Sequence, residues 1–122
     1  MTQFDTLETR ELSAVKIVGS ASLGLTADAG SAQGGCPLTS SFNVIDTSGN
    51  AGDSVTLPAS FSAGTVIFIK NGAAANSVDV FPAAGDDLGA GANTAAALAA
   101  GKGIAYIATV TDTTWEALIV GA

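Results

Sequence analysis

The sequence predicts an all-β protein: a compact antiparallel β-barrel or β-sandwich, jelly-roll-like, carrying an extended N-terminal arm. Three observations carry that expectation. Residues 65–70 (Thr-Val-Ile-Phe-Ile-Lys), 77–81 (Ser-Val-Asp-Val-Phe) and 103–110 (Gly-Ile-Ala-Tyr-Ile-Ala-Thr-Val) are short runs dense in β-branched and aromatic side chains. Gly, Asn and Asp, the residues that tolerate turn geometry, punctuate the intervals between them. The whole chain is 122 residues, enough for one domain with one real core and no second one.

Taken in order, residues 1–50 read as the arm and residues 51–122 as the barrel or sandwich domain. Asp5 and Glu8 form a D-x-x-E spacing that can cap a short helical turn, with Phe4, Leu7 and Leu12 as its apolar contacts. Residues 14–18 (Ala-Val-Lys-Ile-Val) are a candidate strand. From there to Gly35 the chain is small and polar, and is expected to gain its order by lying along a neighbouring subunit or another protein.

Residues 38–45 hold Phe42, Val44 and Ile45 and suit a strand; residues 54–57 suit a shorter one, stopped by Pro58. The run 65–70 is apolar almost throughout, the pattern of a strand buried on both faces. It stops at Asn71-Gly72, a dipeptide suited to the positive backbone angles of a tight hairpin, and is expected to return as residues 77–82. In that return Val78 and Val80 point one way, Asp79 and Phe81 the other, and Pro82 ends the pairing.

Residues 93–101 are ambiguous. An Asn or Thr cap, a run of Ala and Leu and a closing Gly spell a short helix. Yet Leu98 to Gly101 leads into the run at 103 much as Leu57 to Gly64 leads into the run at 65. That internal echo favours a strand. The final pair, 103–110 and 115–120, is joined by Thr-Asp-Thr-Thr as a hairpin with Asp112 in its turn, and Trp115, the only Trp, is placed in the core.

Only 12% of residues are charged, so the surface is built from Ala, Gly, Ser and Thr, and such a surface suits burial against partners or sister copies. The net charge of −7, with four basic residues, argues against nucleic acid and anionic membranes as partners. The first residues lack the basic-then-apolar pattern of a secretory signal, so synthesis in the cytoplasm is expected. Cys36 stands alone and reads as a small buried hydrophobe, not a reactive thiol.

Catalysis finds no constellation here. There is no His to act as base for a Ser, Thr or Cys nucleophile. Asp86 and Asp87 are adjacent in a loop, which seldom brings two carboxylates onto one substrate bond. With Asp79 and Asn93 they offer hard oxygen atoms, yet the spacing lacks the alternating acids and terminal Glu of a calcium loop. The expectation is no enzyme activity and no cofactor or metal.

The run Leu57-Pro-Ala, then Ala-Gly-Thr-Val-Ile-Phe-Ile-Lys-Asn-Gly, Val-Asp-Val-Phe-Pro with a following Gly-Asp-Asp, and Thr-Asp-Thr-Thr-Trp115 resembles a β-rich module of small virion proteins of tailed bacteriophages. These include capsid decoration (cement) proteins and parts of fibres. The likeness covers about residues 54–120. It implies a β-barrel or β-sandwich that forms a homotrimer on the capsid surface, with the major capsid protein as partner, a location in the virion and no chemistry of its own. The arm falls outside that likeness, and its apolar residues Phe4, Leu7, Leu12, Leu23 and Leu25 are, on their own reading, the expected capsid or subunit contacts. The alternative is a receptor-binding or adhesion module of a fibre or tail.

Overall fold

A computed structural model describes residues 19–120, with side chains through Leu118. The described residues form eight strands and no helix: β1 (Ala21–Thr26), β2 (Phe42–Thr47), β3 (Asp53–Thr56), β4 (Val66–Asn71), β5 (Val78–Phe81), β6 (Ala96–Leu98), β7 (Gly103–Val110) and β8 (Thr114–Val120). They build two sheets, one of five strands in the order β1-β2-β4-β7-β8 and one of three in the order β3-β5-β6. Ile45, Ile67, Ile69, Tyr106 and Trp115 from the first sheet and Val55, Val78, Val80 and Leu98 from the second share one core. The fold is thus a β-sandwich and not a closed barrel.

The sheets are mixed where uniform antiparallel pairing was expected. β1 runs parallel to β2, β2 to β4, and β3 to β5, whereas β4–β7, β5–β6 and β7–β8 are antiparallel. β2–β4 and β3–β5 are parallel because the chain crosses to the other sheet and back between their members, whereas β1 and β2 are parallel within one sheet, joined by the loop of residues 27–41.

The expected 71–72 hairpin falls on one of these crossings. β4 and β5 lie in different sheets and do not pair. Neither Asn71 nor Gly72 has a positive φ. The Gly72 amide donates to the Ile45 carbonyl at 2.7 Å, and a Cβ there would stand 3.1 Å from the same oxygen. Gly is favoured here by close approach to β2 and not by turn geometry. Asn71, fully buried, makes the crossing rigid. Its Nδ2 donates to the carbonyls of Asn76 and Leu98, each at 3.0 Å, and its Oδ1 accepts from the Ala73 amide at 3.1 Å.

The internal echo has a structural meaning. β3 and β6 flank β5 in the small sheet, Leu57 and Leu98 are both buried, and each segment then turns through a positive-φ glycine, Gly64 (φ 94) or Gly101 (φ 77). Each enters the large sheet, as β4 or β7, and these two pair with each other. Residues 96–98 are accordingly a strand, and helix propensity yields to pairing with β5. The β7–β8 hairpin forms as expected, with Asp112 at φ 57 in its turn.

The expected arm is, over its described part, integral to the domain. β1 is an edge strand of the large sheet, and the loop after it covers the edge of β3 through the Asp28–Ser54 and Pro37–Thr56 bridges. Polar side chains supply what apolar ones do not. Ser54 Oγ donates to the Gly30 carbonyl, Thr56 Oγ1 to the Gly35 carbonyl, and Asp28 Oδ2 accepts from the Cys36 amide, all at 2.8–3.0 Å. With that cover all four residues of β3 are buried. The helical cap, the strand at 14–18 and the contacts Phe4, Leu7 and Leu12 lie outside the described residues.

Candidate interaction surface

Strand alternation sorts the side chains of the large sheet onto two faces. On β4, Ile67, Ile69 and Asn71 are buried while Phe68 and Lys70 are exposed. On β2, Asn43 and Ile45 are buried and Phe42 is exposed. The expectation that the 65–70 run is buried on both faces is therefore corrected. β4 has one core face and one open face, because nothing among the described residues covers the sheet on that side.

The pairing registers align a single row across all five strands of the open face: Ala21 opposite Phe42, Phe42 opposite Phe68, Phe68 opposite Ala105, and Ala105 opposite Leu118. Phe42, Phe68 and Leu118 are 46%, 41% and 53% exposed, and Leu23, on the β1 side of this face, 70%. The Phe42 and Phe68 rings lie side by side, centroids 6.1 Å apart and tilted 31°. Ala105 is covered by its neighbours, so the row rises at the aromatic pair, dips at Ala105 and rises again at Leu118.

Rows on either side hold Val44, Lys70 and Gly103, and Val66, Ile107 and Glu116. Two shallow grooves flank the aromatic pair. One, of about 260 Å³, is walled by Lys70, Gly101 and Ile104; the other, of about 620 Å³, by Ser20, Ser41 and Val66. The Lys70 ammonium is turned to the Gly101 carbonyl.

The loops hold themselves rather than open a polar site. Asp87 Oδ1 accepts from the amides of Gly89 and Gly91 at 2.6 and 3.0 Å. Asn93 Oδ1 accepts from the Gly85 amide at 2.6 Å and from Gln33 Nε2 at 3.1 Å. Asp112 Oδ1 accepts from the Phe61 amide at 2.7 Å, and Asp79 accepts from the Ser31 hydroxyl. Of the oxygen atoms weighed in the sequence as cation ligands, Asp79 Oδ2, Asp87 Oδ1 and Asn93 Oδ1 are thus engaged by backbone, hydroxyl and side-chain amide donors. Among the described residues no group of three acidic or thiol side chains converges.

Asp86 differs from these. It is buried and its Oδ2 has no partner, and burial, followed by the charge of Asp112, pushes its carboxyl above the ordinary range. Cys36 is half-buried. Burial, then the Asp28 carboxylate, pushes its thiol up, which keeps it protonated and slow as a nucleophile at neutral pH.

Of the residues singled out as contacts, Leu23 stands on the open face and Leu25 packs against the core. Sequence reading missed Phe42 and Phe68 as surface residues: it gave Phe42 a strand without a face and put Phe68 in a strand buried on both faces. The signal was present in β4: Lys70 shares its parity with Phe68, and a Lys marks the wet face of a strand. Trp115 is in the core as expected, against Phe61 with ring centroids 4.2 Å apart, and Tyr106 is buried with it. Comparison with protein-family models, with curated proteins and with solved structures yields no match for this chain.

Proposed function

We propose that this chain is a capsid decoration (cement) protein of a tailed bacteriophage, bound to the major capsid protein on the outer surface of the head as a homotrimer and stabilising it. The observation that carries the reading is the open face of the large sheet: an apolar row across five strands on a rigid sandwich with self-stapled loops. A protein that works as an oligomer fixed on a shell needs a flat face that desolvates easily, through which its copies can join, and a frame that does not deform when the assembly binds. Attachment to the assembled shell and not to its free subunits adds stability by mass action, and several copies acting together multiply modest contacts. The residues that carry the resemblance to small phage virion proteins, from Leu57 to Trp115, run from the end of β3 to the start of β8 and so supply most of the frame.

Adhesion to a host glycan is less well supported. Tyr106 and Trp115 are withdrawn into the core, and among the described residues the exposed rings are those of Phe42 and Phe68.

The test is to count copies per particle and to heat particles made with and without the protein. Hundreds of copies, and earlier release of DNA from heads that lack it, are the expected results. A few copies per particle, with adsorption lost and heads equally heat-stable, would replace this reading by the adhesion one.

A further inference from the structure

We infer that the open face of the five-stranded sheet, centred on Phe42, Phe68 and Leu118, is the surface through which copies of this chain join one another. The inference rests on the attachment reading above and assigns its self-association to one face.

Area is the first argument. Leu23, Phe42, Phe68 and Leu118 alone present roughly 400 Å² of apolar surface, judged from their exposed fractions and the size of such side chains. With Val44, Val66 and Ile107 the face reaches roughly 600 Å², the upper end of what a monomer leaves uncovered. It also approaches the roughly 800 Å² that each partner contributes to a stable complex.

Charge is the second. The chain carries −7 overall, so most ways of bringing two copies together set acid against acid. On this face Lys70 and Glu116 lie in the rows on opposite sides of the apolar one and offset each other, with Asp46 at the far end of β2. A copy meeting this face meets little net charge.

Shape is the third. The ridge of Phe42 and Phe68, the dip at Ala105 and the second ridge at Leu118 form a relief in which a ridge of one copy can enter the dip of another. That is how flat sheet faces pack without voids.

Sedimentation equilibrium on the full chain is the experiment, over a wide concentration range. The wild type should sediment as a multiple of 11.8 kDa. Phe42→Glu and Phe68→Glu should each raise the dissociation constant at least about a hundredfold, and the double variant should run as the monomer. Both sites are more than two-fifths exposed, so folding should survive; the near-ultraviolet dichroism of buried Trp115 checks this. Ala90→Glu, on the exposed loop between β5 and β6, should leave the mass unchanged.

A wild type that stays monomeric throughout overturns the inference. So does an assembly that survives both glutamates. So does self-association that appears only after residues 1–18 are removed, for then the face belongs to the chain's own first segment. If the glutamate variants stay assembled but no longer bind heads, the face belongs to the shell; the inference falls and the decoration reading stands. If they dissociate but particles carry only a few copies, the inference stands and the decoration reading falls.

Discussion

Replacing Asn71 by Ala should destabilise the fold by about 3–4 kcal/mol. The side chain is fully buried at the end of β4, and it makes three hydrogen bonds that tie the large sheet to β6 and to the crossing segment. Each such bond is worth about 1 kcal/mol net, and truncation also leaves two carbonyls and one amide buried without partners. Against a typical total of 5–15 kcal/mol for a domain, this is a large fraction. It corresponds to a fall in Tm on the order of 10 °C for a domain of this size.

Urea unfolding followed by Trp115 fluorescence reads the loss as a midpoint lowered by more than about 1 M at an unchanged slope. Asn71→Asp gives a sharper test. It removes both amide donors and sets a carboxylate against the Asn76 and Leu98 carbonyls, so the folded state favours the protonated acid and its pKa rises above the unfolded value. Stability contributed by that proton is present below the unfolded carboxylate pKa of about 4 and is lost as pH rises through the folded one. The Asp variant should therefore approach wild type at low pH and fall furthest behind at neutral pH. An Ala variant within about 1 kcal/mol of wild type, or an Asp variant whose deficit does not vary with pH, would refute the claim that this side chain joins the sheets.

Other expectations follow from the same geometry. Asp112→Ala should lose about 2 kcal/mol, since it removes the acceptor for the Phe61 amide and places a Cβ-bearing residue without side-chain compensation at φ 57, whereas Asp112→Asn should lose less than about 1 kcal/mol; urea midpoints compare them. The Tyr106 phenol is pushed up to about 12 by burial. Its contribution to stability is complete below the ordinary phenol range near pH 10 and is lost between there and about 12, so ultraviolet titration should show ionisation coinciding with alkaline unfolding. Trp115→Phe should cost much less than the 3–5 kcal/mol of a large-to-Ala change, about 1–2 kcal/mol, because the buried indole Nε1 has no acceptor and its removal relieves an unpaired donor. Thermal melts by circular dichroism measure it, and a loss as large as that of Trp115→Ala would be the contrary result.

What was legible in the sequence was what depends on local pattern. β4, β5, β7 and β8 announce themselves by apolar density, the β7–β8 turn by Asp112, and even the helix-like residues 93–101 yield to the echo with residues 57–64. Pairing partners were not legible. Asn71-Gly72 carries hairpin chemistry, yet the Asn is used as a buried linker and the Gly as clearance for the Ile45 carbonyl, and neither use differs in sequence from a turn. Residues 19–35 looked too polar to join a core because hydroxyls and carboxylates dock them, through contacts with Ser40, Ser54 and Thr56 that lie 18 or more positions away. The open face escaped notice for a related reason. Phe42 and Phe68 belong to separate strands, and only the parallel register that sets them opposite each other turns two scattered aromatics into a surface.

The strand order of the large sheet also dictates a sequence in time. β7 and β8 are its one pair joined by a tight turn; β4 must find β7 across more than thirty residues, β2 must wait for β4, and β1 can only add to β2. Loop-closure entropy makes the sheet zip from its C-terminal hairpin toward its N-terminal edge. Among the described strands, the first to leave the ribosome is thus the last to dock. Pulse-labelled hydrogen exchange should find β7 and β8 protected before β1. Until that last strand arrives the apolar row is incomplete, and so a half-made copy carries no finished surface with which to capture another.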